Sequence, residues 1–251
     1  MGLPIVTDDA HIRWITIDRP EVANALHIED LDHIADAVRG IDETTRAIVF
    51  TGSGDRAFSA GMHLDTFRAA TPVTARRLIA RVGDFLRAAR QSPVPTVAML
   101  NGACLGAAFE LALACDIRIA RPGVRVGLPE VKLGIPSVAD AALLPGFVGL
   151  AKAREMILTG DLYDIAELGP AFANRVVEPD RLHAETGKVL EALTAPTRQV
   201  IAAQKRLFET WLDSGISTSV ATSVDVFGDL FAEPVTNEAV EGYRASTRPA
   251  G

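Results

Sequence analysis

The stretch Asn101-Gly102-Ala103-Cys104-Leu105-Gly106-Ala107-Ala108-Phe109-Glu110-Leu111 decides how the rest of the chain is read. It follows a β-like run, Thr96 to Leu100, and opens a helix. Gly102, Ala103, Gly106, Ala107 and Ala108 leave the backbone open to close approach, and one carboxylate, Glu110, follows within a turn. The first N–H groups of a helix have no intrahelical partner and sit at the positive end of its dipole, which suits an oxygen gaining negative charge. The stretch therefore reads as an electrophilic pocket with an acid or base beside it.

The same region tests for a membrane span, because Val94 to Ala114 holds a single charged residue across roughly the length a bilayer requires. Pro95, Asn101, Gly102, Gly106 and Glu110 interrupt it. It divides into a strand, a tight connection and a helix, so no span is expected.

Toward the N-terminus, Ile5-Val6-Thr7 and His11 through Asp18 alternate apolar and polar residues around Asp8-Asp9-Ala10, the pattern of a hairpin. Ile28, Leu31, Ile34, Ala35 and Val38 fall on one helical face, Arg46 to Gly52 is a short buried strand, and Thr74 to Arg90 is an amphipathic helix. Between these last two, Ala60-Gly61-Met62 makes a second small-residue turn before another helical run. Toward the C-terminus, Asp116 to Ala120 and Val124 to Gly127 read as strands and Leu128 to Gly134 as a loop. The alternation predicts an α/β architecture. Beyond Leu150 the pattern is helical throughout, with helices predicted over 150–159, 165–176, 179–193, 196–213, 215–231 and 237–246. A boundary near Ala195-Pro196 separates an α/β core, residues 1–195, from a C-terminal helical region, residues 196–251, that packs on a neighbour or closes the pocket.

With 48% hydrophobic and 23% charged residues in a chain of 251, the protein is globular and long enough to bury a sizeable core. Its net charge of −7 argues against a general nucleic-acid binder, which needs a basic surface. Cys104 and Cys115 show neither CxxC nor Cys/His ligand spacing; they read as a reduced, buried pair, and no metal site is expected. Early acids and no cationic start in Met1 to Asp9 give no secretory signal, so a cytoplasmic protein is expected.

Two turns, Ala60-Gly61-Met62 and Gly106-Ala107, are suited to offer two backbone N–H groups to one oxygen, and two carboxylates, Glu110 and Glu130, follow them. Each has a plainer reading. A lone carboxylate in an apolar helix is expensive to bury, so Glu110 is otherwise a core salt-bridge partner. Glu130 is otherwise a surface acid. The Met62 side chain is by default a core filler, and only its N–H carries the functional reading.

Four segments together resemble the enoyl-CoA hydratase/isomerase, or crotonase, superfamily. They are Asp18-Arg19-Pro20-Glu21-Val22-Ala23-Asn24-Ala25-Leu26, Ala57-Phe58-Ser59-Ala60-Gly61, Asn101-Gly102 through Cys115-Asp116, and Pro129-Glu130-Val131-Lys132-Leu133-Gly134, in the family's order and at its spacings. The resemblance implies a crotonase-type spiral of ββα turns with a C-terminal helical region, assembled as a homotrimer or a dimer of trimers. It implies an acyl-CoA thioester substrate, with coenzyme A as part of that substrate and no other cofactor. The thioester oxygen is then held by the backbone N–H groups of Met62 and Ala107, Gly106 belongs to the substrate site, and CoA runs along Val22, Ala23 and Ala25 and along Ala60, His63 and Leu64.

Glu110 and Glu130 match the two glutamates of the family's hydratases: Glu110 orients and deprotonates the water that attacks the β-carbon, and Glu130 delivers the α-proton. Isomerases of the family commonly keep an acid only near the second position. Both acids together thus imply a 2-enoyl-CoA hydratase, with double-bond isomerisation, decarboxylation or non-catalytic acyl-CoA binding as alternatives. Three departures stand out. Ala23 takes a position where relatives often carry Arg or Lys. His63 replaces an acid and reads as a solvent-facing helix-start residue or an extra polar group near the thioester. After Glu130, relatives usually run Pro-Gly-Ala-Gly-Gly-Thr, whereas this chain has Ile135 to Pro145, one residue shorter. Within it, Ser137-x-x-Asp140 reads as a capping box at a helix start and not as the source of a third catalytic acid.

Overall fold

The computed structural model describes residues 2–232 and 234–246. Strand β1 (Ile5–Asp9) turns through Ala10, at φ 51°, into β2 (Ile12–Ile17), and the two pair antiparallel as the alternation predicts. Helix α1 (Ile28–Arg39) buries Leu31, Ile34, Ala35 and Val38 on the face their spacing marks. Strand β3 (Ala47–Gly52) is followed by β4 (Ala57–Ser59) and by α2 (Pro72–Arg90). Thr71 caps α2 with its hydroxyl, and Pro72 stands at the first helical position, where a missing N–H leaves nothing unpaired.

The next turns are β5 (Thr96–Leu100), β6 (Ala103–Leu105) and α3 (Ala107–Ala114), then β7 (Ile117–Ala120) and β8 (Arg125–Gly127). Short 3-10 helices at Pro129–Leu133 and Ala139–Leu143 lead to α4 (Leu144–Val148) and α5 (Leu150–Thr159). Strand β9 (Tyr163–Asp164), α6 (Ile165–Leu168), β10 (Arg175–Val176), α7 (Leu182–Thr194), α8 (Arg198–Asp213), α9 (Ile216–Leu230) and α10 (Pro234–Ser246) complete the chain.

The spiral is visible in how strands are shared between two sheets. The first strand of each turn joins a six-stranded sheet in the order β1-β2-β3-β5-β7-β10, and the second joins a four-stranded sheet in the order β4-β6-β8-β9. Pairing from β2 onward in the first sheet is parallel, as is β4-β6-β8 in the second. Strand β3 is buried at every residue because both faces are covered. Ile48 and Phe50 join the main core with Leu31, Leu86 and Phe109 of α1, α2 and α3, while Val49 packs with Leu182 and Leu190 of α7. Such two-sided cover is why the sequence there is a continuous apolar run. Cys104 and Cys115 are buried free thiols. No described helix is long and apolar enough to cross a membrane.

Three expectations are corrected. The connection between β5 and α3 contains a strand of its own, β6, which its small residues conceal. The loop expected over Leu128 to Gly134 is a 3-10 turn ended by Gly134 in the left-handed region, at φ 77°. The helix predicted over 165–176 stops at Leu168, because Gly169 turns left-handed at φ 68° and Pro170 has no N–H to continue it. The apolar spacing of Ile165, Leu168, Phe172 and Ala173 mimics a helix, yet Asn174 exchanges hydrogen bonds with the Arg118 backbone and sets β10 beside β7.

Candidate active site

Parallel pairing of β4 with β6 brings the two small-residue turns together at the carboxyl ends of neighbouring strands. Gly61 has φ +84°, and a Cβ there would lie 2.6 Å from the Leu105 carbonyl oxygen and 3.2 Å from the Ala107 nitrogen. Gly106 has φ +56°, and a Cβ there would lie 3.0 Å from Glu130 Oε1. Both positions therefore demand glycine for the same reason: each backbone packs against the other turn or against the carboxyl across from it.

The two N–H groups predicted as donors are free by construction. Ala107 is the first residue of α3, so its N–H has no partner within the helix. Met62 forms a parallel bridge with Leu26, in which the Gly61 carbonyl accepts from Leu26 N–H at 2.8 Å and His63 N–H donates to the Leu26 carbonyl at 2.8 Å. Backbone groups alternate sides along an extended chain, so the Met62 N–H faces away from that bridge. The Met62 side chain packs against the core, as its default reading has it.

Two asparagines hold these turns in place. Asn24 is fully buried; its Oδ1 accepts from the Arg19 N–H at 2.9 Å and its Nδ2 donates to the Ser53 and Ala57 carbonyls at 3.0 and 2.8 Å. Asn101 Nδ2 donates to the Gly52 and Gly54 carbonyls, each at 2.7 Å. Arg19 pairs with buried Asp30 of α1, anchoring the loop that carries Val22 to Leu26. Both asparagines lie within the motifs quoted above, but sequence gives no sign that their side chains act as loop braces.

Helix α3 is buried at every residue, so its carbonyl end needs an internal partner. The Arg118 guanidinium supplies it, donating to the Ala112 and Cys115 carbonyls at 3.0 and 2.6 Å and lying 4.6 Å from the Phe147 ring centre. Pinned at that end, α3 projects Glu110 from its opening turn into a cavity of about 440 Å³. Glu130, from the 3-10 turn after β8, faces the same cavity.

The electrostatics of the two acids differ. Glu110 is 3% exposed and its Oε2 is buried without a hydrogen-bond partner. Burial pushes its carboxyl up to about 9, and the neighbouring charges of Glu130 and Asp140 add to the rise, while the Asp140 backbone N–H opposes it. No cation among the described residues neutralises it, so the salt-bridge alternative does not hold. Glu130 is raised by burial and held back first by its own backbone N–H and then by the Ser137 hydroxyl, which donates to its Oε2 at 2.9 Å. It is half-buried and faces the cavity, which excludes the surface-acid alternative.

Of the residues expected along CoA, Val22, Ala25, Ala60, His63, Leu64 and Gly106 line the cavity, as do Met62 and Ala107. Ala23 does not; it sits left-handed at φ 54°, and its carbonyl accepts the Ala60 N–H at 2.9 Å. His63 starts a 3-10 helix (Leu64–Phe67) but is not free in solvent. Its ring stacks on His27 at 4.5 Å, and its Nδ1 accepts from Asp65 N–H. The capping box at Ser137-x-x-Asp140 is absent. Val138 precedes the 3-10 turn, Ser137 bonds Glu130 instead, and Asp140 pairs with Arg90 of α2 at 2.9 Å. The apolar wall made by Phe67, Ile79, Val82, Leu133, Ile135 and Val138 escapes sequence reasoning, because residues that line a cavity share their period with residues that fill a core.

Comparison with known proteins agrees with this geometry. The family description "Enoyl-CoA hydratase/isomerase" matches residues 7–250. A crotonyl-CoA hydratase of Syntrophomonas wolfei subsp. wolfei is 30% identical over 245 residues, covering 96% of this chain and 93% of that protein. The crystal structure of enoyl-CoA hydratase from Mycobacterium smegmatis superposes with a TM-score of 0.93 at 27% identity, over 99% of this chain and 98% of that one. A Thermobifida fusca protein solved in complex with CoA superposes with a TM-score of 0.84 at 28% identity, over 93% and 94% of the two chains. With a match across nearly its whole length and the spiral to go with it, this chain belongs to the enoyl-CoA hydratase/isomerase family and has the crotonase fold.

Proposed function

We propose that the protein is a 2-enoyl-CoA hydratase, adding water reversibly across the 2,3-double bond of an acyl-CoA thioester. The observation that carries this reading is the meeting, on one apolar cavity, of a buried acid and a half-buried one with two glycine-shaped turns whose N–H groups are unspent. The thioester oxygen accepts from the Met62 and Ala107 N–H groups, which stabilise the enolate by about 3 kcal/mol each. Water held between the carboxyls adds to the β-carbon and gives its proton to Glu110. The π pair moves onto the thioester oxygen, then returns to the α-carbon as Glu130 transfers its proton there.

One proton is shared by the pair, since two close carboxylates do not both ionise readily. Hydration begins with that proton on Glu130 and ends with it on Glu110. Because Glu110 is more deeply buried, the free site favours the second state, the one from which dehydration begins. A solvent relay between the two oxygens resets the site after each hydration.

Coenzyme A enters only as part of the substrate. Self-association, as a homotrimer or dimer of trimers, is supported by the exposed apolar residues Ile216, Val220, Val224 and Phe227 along α9, a stripe that needs cover in water; light scattering tests it. The reaction is tested with crotonyl-CoA and longer 2-enoyl-CoA esters, following the ultraviolet absorbance of the conjugated thioester and the product mass. Loss of absorbance with gain of one water is expected. Binding of acyl-CoA esters with no hydration of any would overturn the proposal.

A further inference from the structure

Ser137 stands in the segment that departs most from the family pattern, and its hydroxyl treats the two oxygens of Glu130 differently. Ser137 Oγ donates to Oε2 at 2.9 Å. Oε1 faces the other way, toward Gly106, where an added Cβ would come within 3.0 Å of it. Torsion about the last bond of a glutamate side chain is broad and nearly two-fold, so an untethered carboxyl presents either oxygen to the cavity. The Glu130 backbone N–H also bonds this carboxyl, and the hydroxyl adds the contact that marks out Oε2.

We propose that Ser137 is a positioning residue that fixes which oxygen of Glu130 carries the transferable proton. The inference rests on the proposed role of Glu130 as donor to the α-carbon. An oxygen already accepting a hydrogen from Ser137 is a poor site for a second hydrogen along the same line, so the acid proton is directed to Oε1, beside the Gly106-Ala107 turn. On transfer the Oε1–H bond breaks, its electron pair stays on the carboxylate, and the proton forms the new C–H bond at the α-carbon. The same hydroxyl then stabilises the carboxylate left behind, at Oε2. A glycine at this position would have no side chain to do this.

Thr and Val are near-isosteric, so Ser137→Thr and Ser137→Val separate the hydroxyl from any effect on the backbone. Threonine is expected to keep kcat within about twofold of wild type, and valine to lower it about tenfold, with KM for the enoyl-CoA little changed. Because Glu130 ionises before Glu110, it sets the acidic limb of the rate profile. Loss of the hydroxyl should move that limb up in the valine variant alone. Carboxyl carbon NMR gives a second readout that needs no turnover: Glu130 should titrate higher in Ser137→Val than in Ser137→Thr or wild type. If the wild type hydrates nothing, the hydratase reading fails and the carboxyl titration alone decides the tether. Threonine and valine variants that titrate alike, or that share one kcat and one acidic limb, overturn the proposal.

Discussion

Replacing Glu110 by Gln is expected to strengthen the fold while removing most of the activity, and the gain has a pH signature set by where the side chain lies. Glu110 is 3% exposed, and burial pushes its carboxyl up to about 9 from an ordinary 4.5. Below pH 4.5 the folded and unfolded chains both hold the proton; from there to about 9 the unfolded chain releases it and the folded chain does not. Wild-type stability is thus fully present below the lower value and falls as pH rises toward the upper one. At pH 7 the protein has travelled two and a half pH units into that window, a loss of about 3.5 kcal/mol at about 1.4 kcal/mol per unit. Glutamine does not ionise and has nearly the same shape, so the variant escapes the loss. The extra N–H of the buried amide carries a penalty of its own, but that penalty does not change with pH. Urea unfolding at fixed protein concentration, at about pH 5 and about pH 7, isolates the titrating part: the stability difference between variant and wild type should widen by roughly 2–3 kcal/mol between them. A difference that stays flat to within about 0.5 kcal/mol would refute the argument that Glu110 is buried and uncompensated.

The rate profile of the wild type should fall on the alkaline side near pH 9, where Glu110 gives up the last proton of the pair; a profile flat through about pH 10 contradicts the shared proton. Gly106→Ala forces φ +56° on a residue with a side chain and sets a methyl 3.0 Å from Glu130 Oε1. It should lower kcat at least tenfold and weaken the fold by about 1–2 kcal/mol, read by turnover and by thermal unfolding. Asp30→Ala leaves the Arg19 guanidinium buried without its partner and should destabilise the protein by about 3–5 kcal/mol in denaturant titrations, while Asp84→Ala, at an exposed pair, should change stability by under about 1 kcal/mol.

Local pattern made most of the architecture legible. The hairpin, α1, β3, α2 and β5 all follow from spacing, because each has a solvated face or a clear apolar run. Legibility failed where tertiary contact overrides local preference. Asn174 draws β10 to the edge of β7 although Ile165 to Ala173 carry helical spacing, and β6 is made of Ala103, Cys104 and Leu105, which no propensity marks as a strand. At the site, glycines and carboxylates were readable because their chemistry restricts residue type. Ser137 and Asp140 carry the spacing of a cap, but a four-residue motif cannot reveal that one hydroxyl turns back to Glu130 and one carboxylate reaches across to Arg90. The motif sets Ala23 beside Val22 and Ala25 without showing that its carbonyl is committed to Ala60 and that it stands off the cavity wall.

The pairing of β4 with β6 makes the dimension of the proposed oxygen cradle a property of sheet geometry. Adjacent strands stand about 4.8 Å apart whatever their side chains, and the two turns continue from one such neighbouring pair. The side chains of Met62 and Ala107 do not set that spacing; both pack in the core, and a change of size there is felt as packing. What cannot drift is the absence of a side chain at Gly61 and Gly106. The proposed cradle therefore depends less on the identity of the two donors than on two hydrogen atoms beside them, one on each glycine.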